Sequence, residues 1–174
     1  MMTKIVLALI LTAGLTAAAI AATEDAQLKV DLGRVVSTDE VTPVDGVTSA
    51  GQPDEVALAV FARSGYTTVI DLRGENEDRG IDEPAVVEKL GMEYISLPIG
   101  RDDINFDNAE MLDILIDSSG GPVLVHCGSG NRVGALLALR KSLAGADDEE
   151  AIEYGKQGGL TRLEGKVREV LEAE

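Results

Sequence analysis

Between Gly121 and Arg140 an apolar run of strand length, Val123-Leu124-Val125, feeds a glycine-rich loop, His126-Cys127-Gly128-Ser129-Gly130-Asn131-Arg132, and the loop feeds the helical stretch Val133-Gly134-Ala135-Leu136-Leu137-Ala138-Leu139. Neither apolar piece can face water. A strand apolar on both sides needs cover on both faces, and a helix without a polar side must be packed within the protein. A mainly parallel central sheet with helices on both faces meets both demands, so the fold class expected is α/β.

The rest of the chain alternates in the same manner. Val47 to Ala50 has strand character, and Pro53, Asp54 and Glu55 form a helix start whose apolar residues run through Phe61 to a stop at Gly65. Thr67 to Leu72 is a β-branched run, a second helix is expected from about Pro84 to Gly91, and Met92 to Leu97 is the next strand. A helix from about Asp107 to Ser118 precedes Gly120-Gly121-Pro122, and two Glu-rich helices follow Asp147 and Thr161, each of which has Glu three residues on, the spacing of a capping box. Residues 23–45 read as a polar lead-in with an edge strand from the β-prone pieces at Val35-Val36 and near Val44. In a parallel sheet, ligands bind beyond the carboxyl ends of the strands, where Cys127 falls.

The residue types in that loop point to one chemistry. Gly128 and Gly130 tolerate positive φ, and Asn131 tolerates it better than most residues, so successive backbone N–H groups can converge on one point above a helix N-terminus. A thiol there is favoured as thiolate by the N–H groups, the helix dipole and the Arg132 guanidinium. An arginine in a first helical turn opposes the dipole unless it holds an anion. Cys127 is therefore the candidate nucleophile and Arg132 the candidate anion ligand, with Gly128, Ser129, Gly130 and Asn131 as the cradle. The alternatives are a small buried thiol and a salt-bridged surface arginine.

These residues resemble the cysteine-dependent phosphatases of the tyrosine and dual-specificity superfamily, marked by a His-Cys pair, a glycine-containing loop and an Arg. The nearer likeness is to the bacterial beta-lactamase-hydrolase-like phosphatase group, whose pattern of Gln-Pro, Leu-Arg and His-Cys-x-Ser-Gly-x-Arg is met here by Gln52-Pro53, Leu72-Arg73 and His126 to Arg132, across most of residues 47–143. The resemblance implies a tyrosine-phosphatase-like fold, a phosphointermediate on Cys127, and a general acid from an upstream loop, either Asp102 or Asp103, with Asp82 and Asp107 behind them. It implies a supporting role for His126. Arg73 and Arg101 are candidates for the pocket rim, and Gln52 for contacting the ligand or capping its helix, while Glu75, Glu77 and Asp78 read as a solvated face. Four residues separate Cys127 from Arg132, where most tyrosine phosphatases have five, and Val133 stands where they carry Ser or Thr. The short loop also occurs in rhodanese-like sulfurtransferases. A persulfide carrier and a non-catalytic anion-binding module therefore stand as alternatives to a phosphoric monoester hydrolase.

Lys4, the apolar run from Ile5 to Ile20, and Ala19 and Ala21 match a signal peptide over residues 1–21, which predicts a periplasmic or secreted protein with no stable membrane insertion after cleavage, an uncleaved membrane anchor being the alternative. Residues 22–46 would be the lead-in and 47–174 one phosphatase-like domain. A formal net charge of −16 makes nucleic acid a poor partner. A small anionic substrate or a phosphorylated side chain remains compatible, because the pocket's field is set at close range and distant carboxylates are screened beyond ~8 Å. With one His and one Cys, neither a metal nor another cofactor is expected. The oligomeric state is not legible in the sequence.

Overall fold

The computed structural model describes residues 27–173, and the expected signal peptide lies outside them. Four strands, β1 (Val47–Ala50), β2 (Thr68–Asp71), β3 (Glu93–Ser96) and β4 (Val123–His126), form one all-parallel sheet in the order β1-β4-β2-β3. Strand β4 lies between β1 and β2, with all four of its residues buried. Its register aligns His126 with Ala50 of β1 and Asp71 of β2, so three strands end level and their following loops share one edge.

Among the described residues seven helices cover the two faces: α1 (Leu32–Thr38), α2 (Glu55–Arg63), α3 (Glu83–Lys89), α4 (Phe106–Ser118), α5 (Asn131–Leu143), α6 (Asp148–Gln157) and α7 (Glu164–Glu172). Alternation along the strands divides the core in two. Val47, Ile70, Val123 and Val125 pack with α4 to α7, while Ala50, Val69 and Leu124 pack with α1 to α3. The fold is the expected α/β architecture, a parallel sheet with helices on both faces.

Two local expectations are corrected. Val35-Val36 is not a strand: it lies in α1, which Asp31 starts by accepting the Arg34 N–H at 2.8 Å. The edge of the sheet is extended earlier instead, where Val30 N donates to Ser49 O at 3.0 Å and Ser49 N to Leu28 O at 2.7 Å. Thr161 does not cap α7, whose N-cap is Leu163 without a side-chain bond. Its backbone N–H and hydroxyl donate instead to Asn131 Oδ1, at 2.8 and 3.0 Å.

Helices α5 and α6 meet through glycine. A Cβ on Gly134 would lie 2.5 Å from Gly155 O and 2.1 Å from Leu160 N, and one on Gly155 would lie 2.7 Å from Gly134 O. Backbones so close exclude any side chain at either position. The contact fixes the helix that carries Arg132 against the C-terminal third of the chain. Among the described residues no helix is long and apolar enough to cross a membrane.

Candidate active site

Five helices, α1, α2, α3, α4 and α6, begin with an Asp or Asn side chain that accepts a backbone N–H: Asp31, Asp54, Asp82, Asn105 and Asp147. Helices α5 and α7 do not: the N-cap of α5 is Gly130 in the left-handed region, φ 83°, with no side-chain bond. An uncapped helix start offers its first N–H groups and the positive end of its dipole to whatever anion stands there. Cys127 stands there, with the Gly130 N–H donating to its Sγ at 3.1 Å. Cys127 is nearly covered, at 1% exposure, at the floor of the loop.

Arg132 is fastened above that floor. Its Nη1 donates to Leu72 O at 3.3 Å and Ile99 O at 3.2 Å, the carbonyls that follow β2 and β3. Glu77 closes a bidentate pair with it, Oε1 to Nη1 at 2.5 Å and Oε2 to Nη2 at 2.7 Å. Glu77 is itself oriented by the Gly74 N–H at 2.8 Å. The bonds from Arg132, opposed by partial burial and helped by Gly74, hold the Glu77 carboxyl down at about 2. Arg132 is driven the other way, first by those bonds, against the cost of burial, and then by the charge of Cys127 beside it. Glu77 is thus no solvated bystander but the counter-ion of the cradle.

Lys29 supports the loop from the other side: its Nζ donates to Ser129 O at 3.0 Å, and its stem packs where a Cβ on Gly130 or Gly159 would have to go. Gly128 does not adopt positive φ, and Asn131 is already helical. Asn131 Oδ1 accepts from Thr161 and from the Leu163 N–H, which ties the start of α5 to the segment before α7.

Beneath Cys127 lies a second charged cluster. Arg73 is completely buried, donates from Nε to Asp71 Oδ1 and from Nη2 to Asp71 Oδ2, both at 2.9 Å, and pairs with Glu83 through Nη2. His126 Nε2 stands 2.7 Å from Glu83 Oε1, a contact that lacks hydrogen-bond alignment, and 3.9 Å from Asp71 Oδ1. Arg79 Nε and the Tyr94 hydroxyl complete the shell on Asp71 Oδ2 at 3.1 and 2.8 Å. Burial opposes the ionised form of Asp71, but the Arg73 bonds, the His126 charge and Tyr94 outweigh it and bring the carboxyl to about 2.

This cluster corrects two expectations. Arg73 is not at a pocket rim: it is completely buried, its charge is matched by Asp71 and Glu83 through Nε and Nη2, and Nη1 has no hydrogen-bond partner. Gln52 neither caps α2, which Asp54 does, nor turns toward the cradle: its Nε2 donates to Arg79 O at 2.9 Å. Asp71, Glu83 and His126 bring ligand atoms within 4.8 Å of one another, a spacing suited to a metal ion, but the Arg73 cation already occupies the space between the carboxylates.

Of the two candidate acids, Asp103 is committed to its own turn, accepting the Gly100 N–H at 2.8 Å. Asp102 is exposed and has no such bond among the described residues. Sequence reasoning missed Lys29, Asp71, Glu83 and Arg162, and misread Glu77. The signal for Glu77 was its place in the loop after β2, on the same sheet edge as Cys127. Nothing local marked Glu83 or Lys29.

Residues 38–144 match the family described as beta-lactamase hydrolase-like protein, phosphatase-like domain. The beta-lactamase hydrolase-like protein of Xylella fastidiosa is 32% identical over 108 residues, 60% of this chain and 25% of that protein, so the match spans about a quarter of the curated relative's length. Among solved structures, the nma1982 protein of Neisseria meningitidis is 23% identical with a TM-score of 0.64 over 74% of this chain and 93% of its own. TpbA of P. aeruginosa, solved in complex with pTyr, is 19% identical with a TM-score of 0.61, covering 87% of this chain and 97% of that one. At such identities the structural likeness is one of fold.

Proposed function

The chain belongs to the beta-lactamase hydrolase-like protein, phosphatase-like domain family, and from that premise we propose that it is a phosphoric monoester hydrolase acting through Cys127. The observation that carries the proposal is the start of α5, which has no side-chain cap and whose Gly130 N–H donates to the Cys127 sulfur, with Arg132 in the first turn of the same helix. A thiolate and a phosphate dianion repel each other, and the helix end, the loop N–H groups and Arg132 offset that repulsion.

In the proposed reaction the Cys127 sulfur attacks phosphorus, and the P–S bond forms as the bond to the leaving oxygen breaks. Arg132 and the N–H groups of residues 128–132 hold the non-bridging oxygens. Asp102 is the proposed proton donor to the leaving oxygen, being the loop carboxylate that no backbone N–H has claimed. Water then attacks phosphorus, releasing phosphate and the thiolate, with its proton passing to Asp102. His126 supports the loop from below and transfers no proton. A phosphorylated tyrosine side chain, as seen bound to TpbA, is one substrate the cradle suits. Export to the periplasm or beyond, from the apolar run at Ile5 to Ile20, is part of the proposal, and N-terminal sequencing of the exported protein tests it.

The family and the structural neighbours do not favour the sulfurtransferase alternative. The decisive experiment is hydrolysis of an aryl phosphate by wild type and Cys127→Ser. A loss of 10³-fold or more, with a phosphate adduct trapped on Cys127 in the wild type, is expected. Equal rates in the two proteins, or sulfur transferred from thiosulfate to Cys127 with no ester hydrolysis, would falsify it.

A further inference from the structure

The protein has 31 acidic side chains against 15 Lys and Arg, so an exposed arginine seldom lacks a carboxylate within reach. Arg63, Arg73, Arg79, Arg132, Arg140 and Arg168 are each held by at least one. Arg101 and Arg162 are exposed and have no acidic partner among the described residues, and both line the cavity that Arg132 opens into. That cavity, of about 390 Å³, is completed by Ile99, Gly100, Asn131 and Leu163. With water occupying ~30 Å³ per molecule, it holds far more than one phosphoryl group.

A second cavity, of about 420 Å³, lies near the end of α5 and shows the opposite pattern. There Arg140 is answered by Asp113, and Lys141 by Glu150 at 3.4 Å, so its cations are already spent. Arg101 and Arg162 thus share with Arg132 the wall of one cavity, and no carboxylate among the described residues answers either of them. Arg101 comes from the loop after β3 and Arg162 from the segment before α7, on opposite sides of Arg132 in the chain.

We propose that Arg101 and Arg162 form a second anion subsite, and that the substrate is a small phosphate monoester carrying a further anionic group a few bonds from the phosphate that Cys127 attacks. The proposal rests on the phosphatase reading for the attack, but the subsite itself is a binding feature. Arg132 and the loop take the reacting phosphate, Arg101 and Arg162 take the second group, and Ile99 and Leu163 flank the link between them. The distant carboxylates do not cancel this local charge at ordinary ionic strength.

The test uses Cys127→Ser protein and two probes, inorganic phosphate and inorganic pyrophosphate, measured by calorimetry at fixed salt. Pyrophosphate is expected to bind at least tenfold more tightly than phosphate. Adding Arg101→Gln and Arg162→Gln should bring that ratio to within about threefold, with the urea midpoint unchanged as a check on folding. A ratio that survives the double substitution, equal affinities at the outset, or no measurable binding of either probe overturns the subsite. The catalytic reading fails separately: wild type that discriminates the two probes but leaves phenyl phosphate and phenylene-1,3-bisphosphate intact retains the subsite and loses the phosphatase. If both esters are hydrolysed, the bisphosphate should show the higher kcat/KM, mainly through KM.

Discussion

Two arginines lie at the same edge of the sheet and meet different fates. Arg73 follows β2 and is sealed inside, with Asp71 and Glu83 on it and His126 against Glu83. Arg132 opens α5 and is held by two backbone carbonyls and one carboxylate, with its side chain partly exposed and a cavity in front. The residue types are the same, and solvent decides the difference. Inside, the charges must be matched on the spot, because an unpaired buried ion costs several kcal/mol. Outside, a counter-ion can be exchanged for a ligand, and an exchangeable charge is what binding requires.

The comparison can be broken first on its inner side. Arg73→Met leaves Asp71 and Glu83 facing each other in a dry site, and urea unfolding should show a loss of about 3–5 kcal/mol. A loss under 1 kcal/mol would mean the cluster admits water. Cys127→Ser, by contrast, should move the same midpoint by less than about 1 kcal/mol, whatever loss of turnover the proposed chemistry predicts, because the sulfur accepts one N–H bond that a hydroxyl can also accept.

Acid titration gives the next effect. Asp71 has its folded value depressed to about 2 from the ordinary 3.8, so its contribution is complete above the unfolded value and is lost as pH falls through the folded one. Stability should decline by about 2 kcal/mol between pH 4 and pH 2, in excess of the decline in an Asp71→Asn variant. Parallel curves for the two proteins would remove Asp71 from the account.

The smallest effect sharpens the outer side. Glu77→Gln removes a negative charge beside the cradle while Leu72 O and Ile99 O still hold Arg132, so inorganic phosphate should bind about tenfold more tightly, ~1.4 kcal/mol. Weaker binding would show that Glu77 chiefly orients the guanidinium. Thermal stability should barely change, since a partly exposed pair is worth little.

The central strand, the loop and the buried helix were legible because each obeys a local rule: a continuous apolar run, a glycine turn, a helix without a polar face. The same holds for Gly65 and Gly91, which end their helices with φ of 87° and 82°. What could not be read was pairing between distant segments. Arg73 looked available because its counter-ions Asp71 and Glu83 lie on either side of a charged loop, and only the fold shows that both reach it. Val35-Val36 has strand propensity, but Asp31 supplies a helix start that overrides it. Thr161 has capping-box spacing with Glu164, but Asn131 competes for its donors and wins.

That Asn131 contact limits where the chain can be cut. The recognisable family match stops at residue 144, yet the first turn of α5 hangs on Thr161 and Leu163, and β1 reaches Gly158 through the Ser49 hydroxyl at 2.6 Å. A fragment trimmed to the match would keep Cys127 and Arg132 and lose the tether that sets their angle to each other. For this protein, the smallest working unit is larger than its signature.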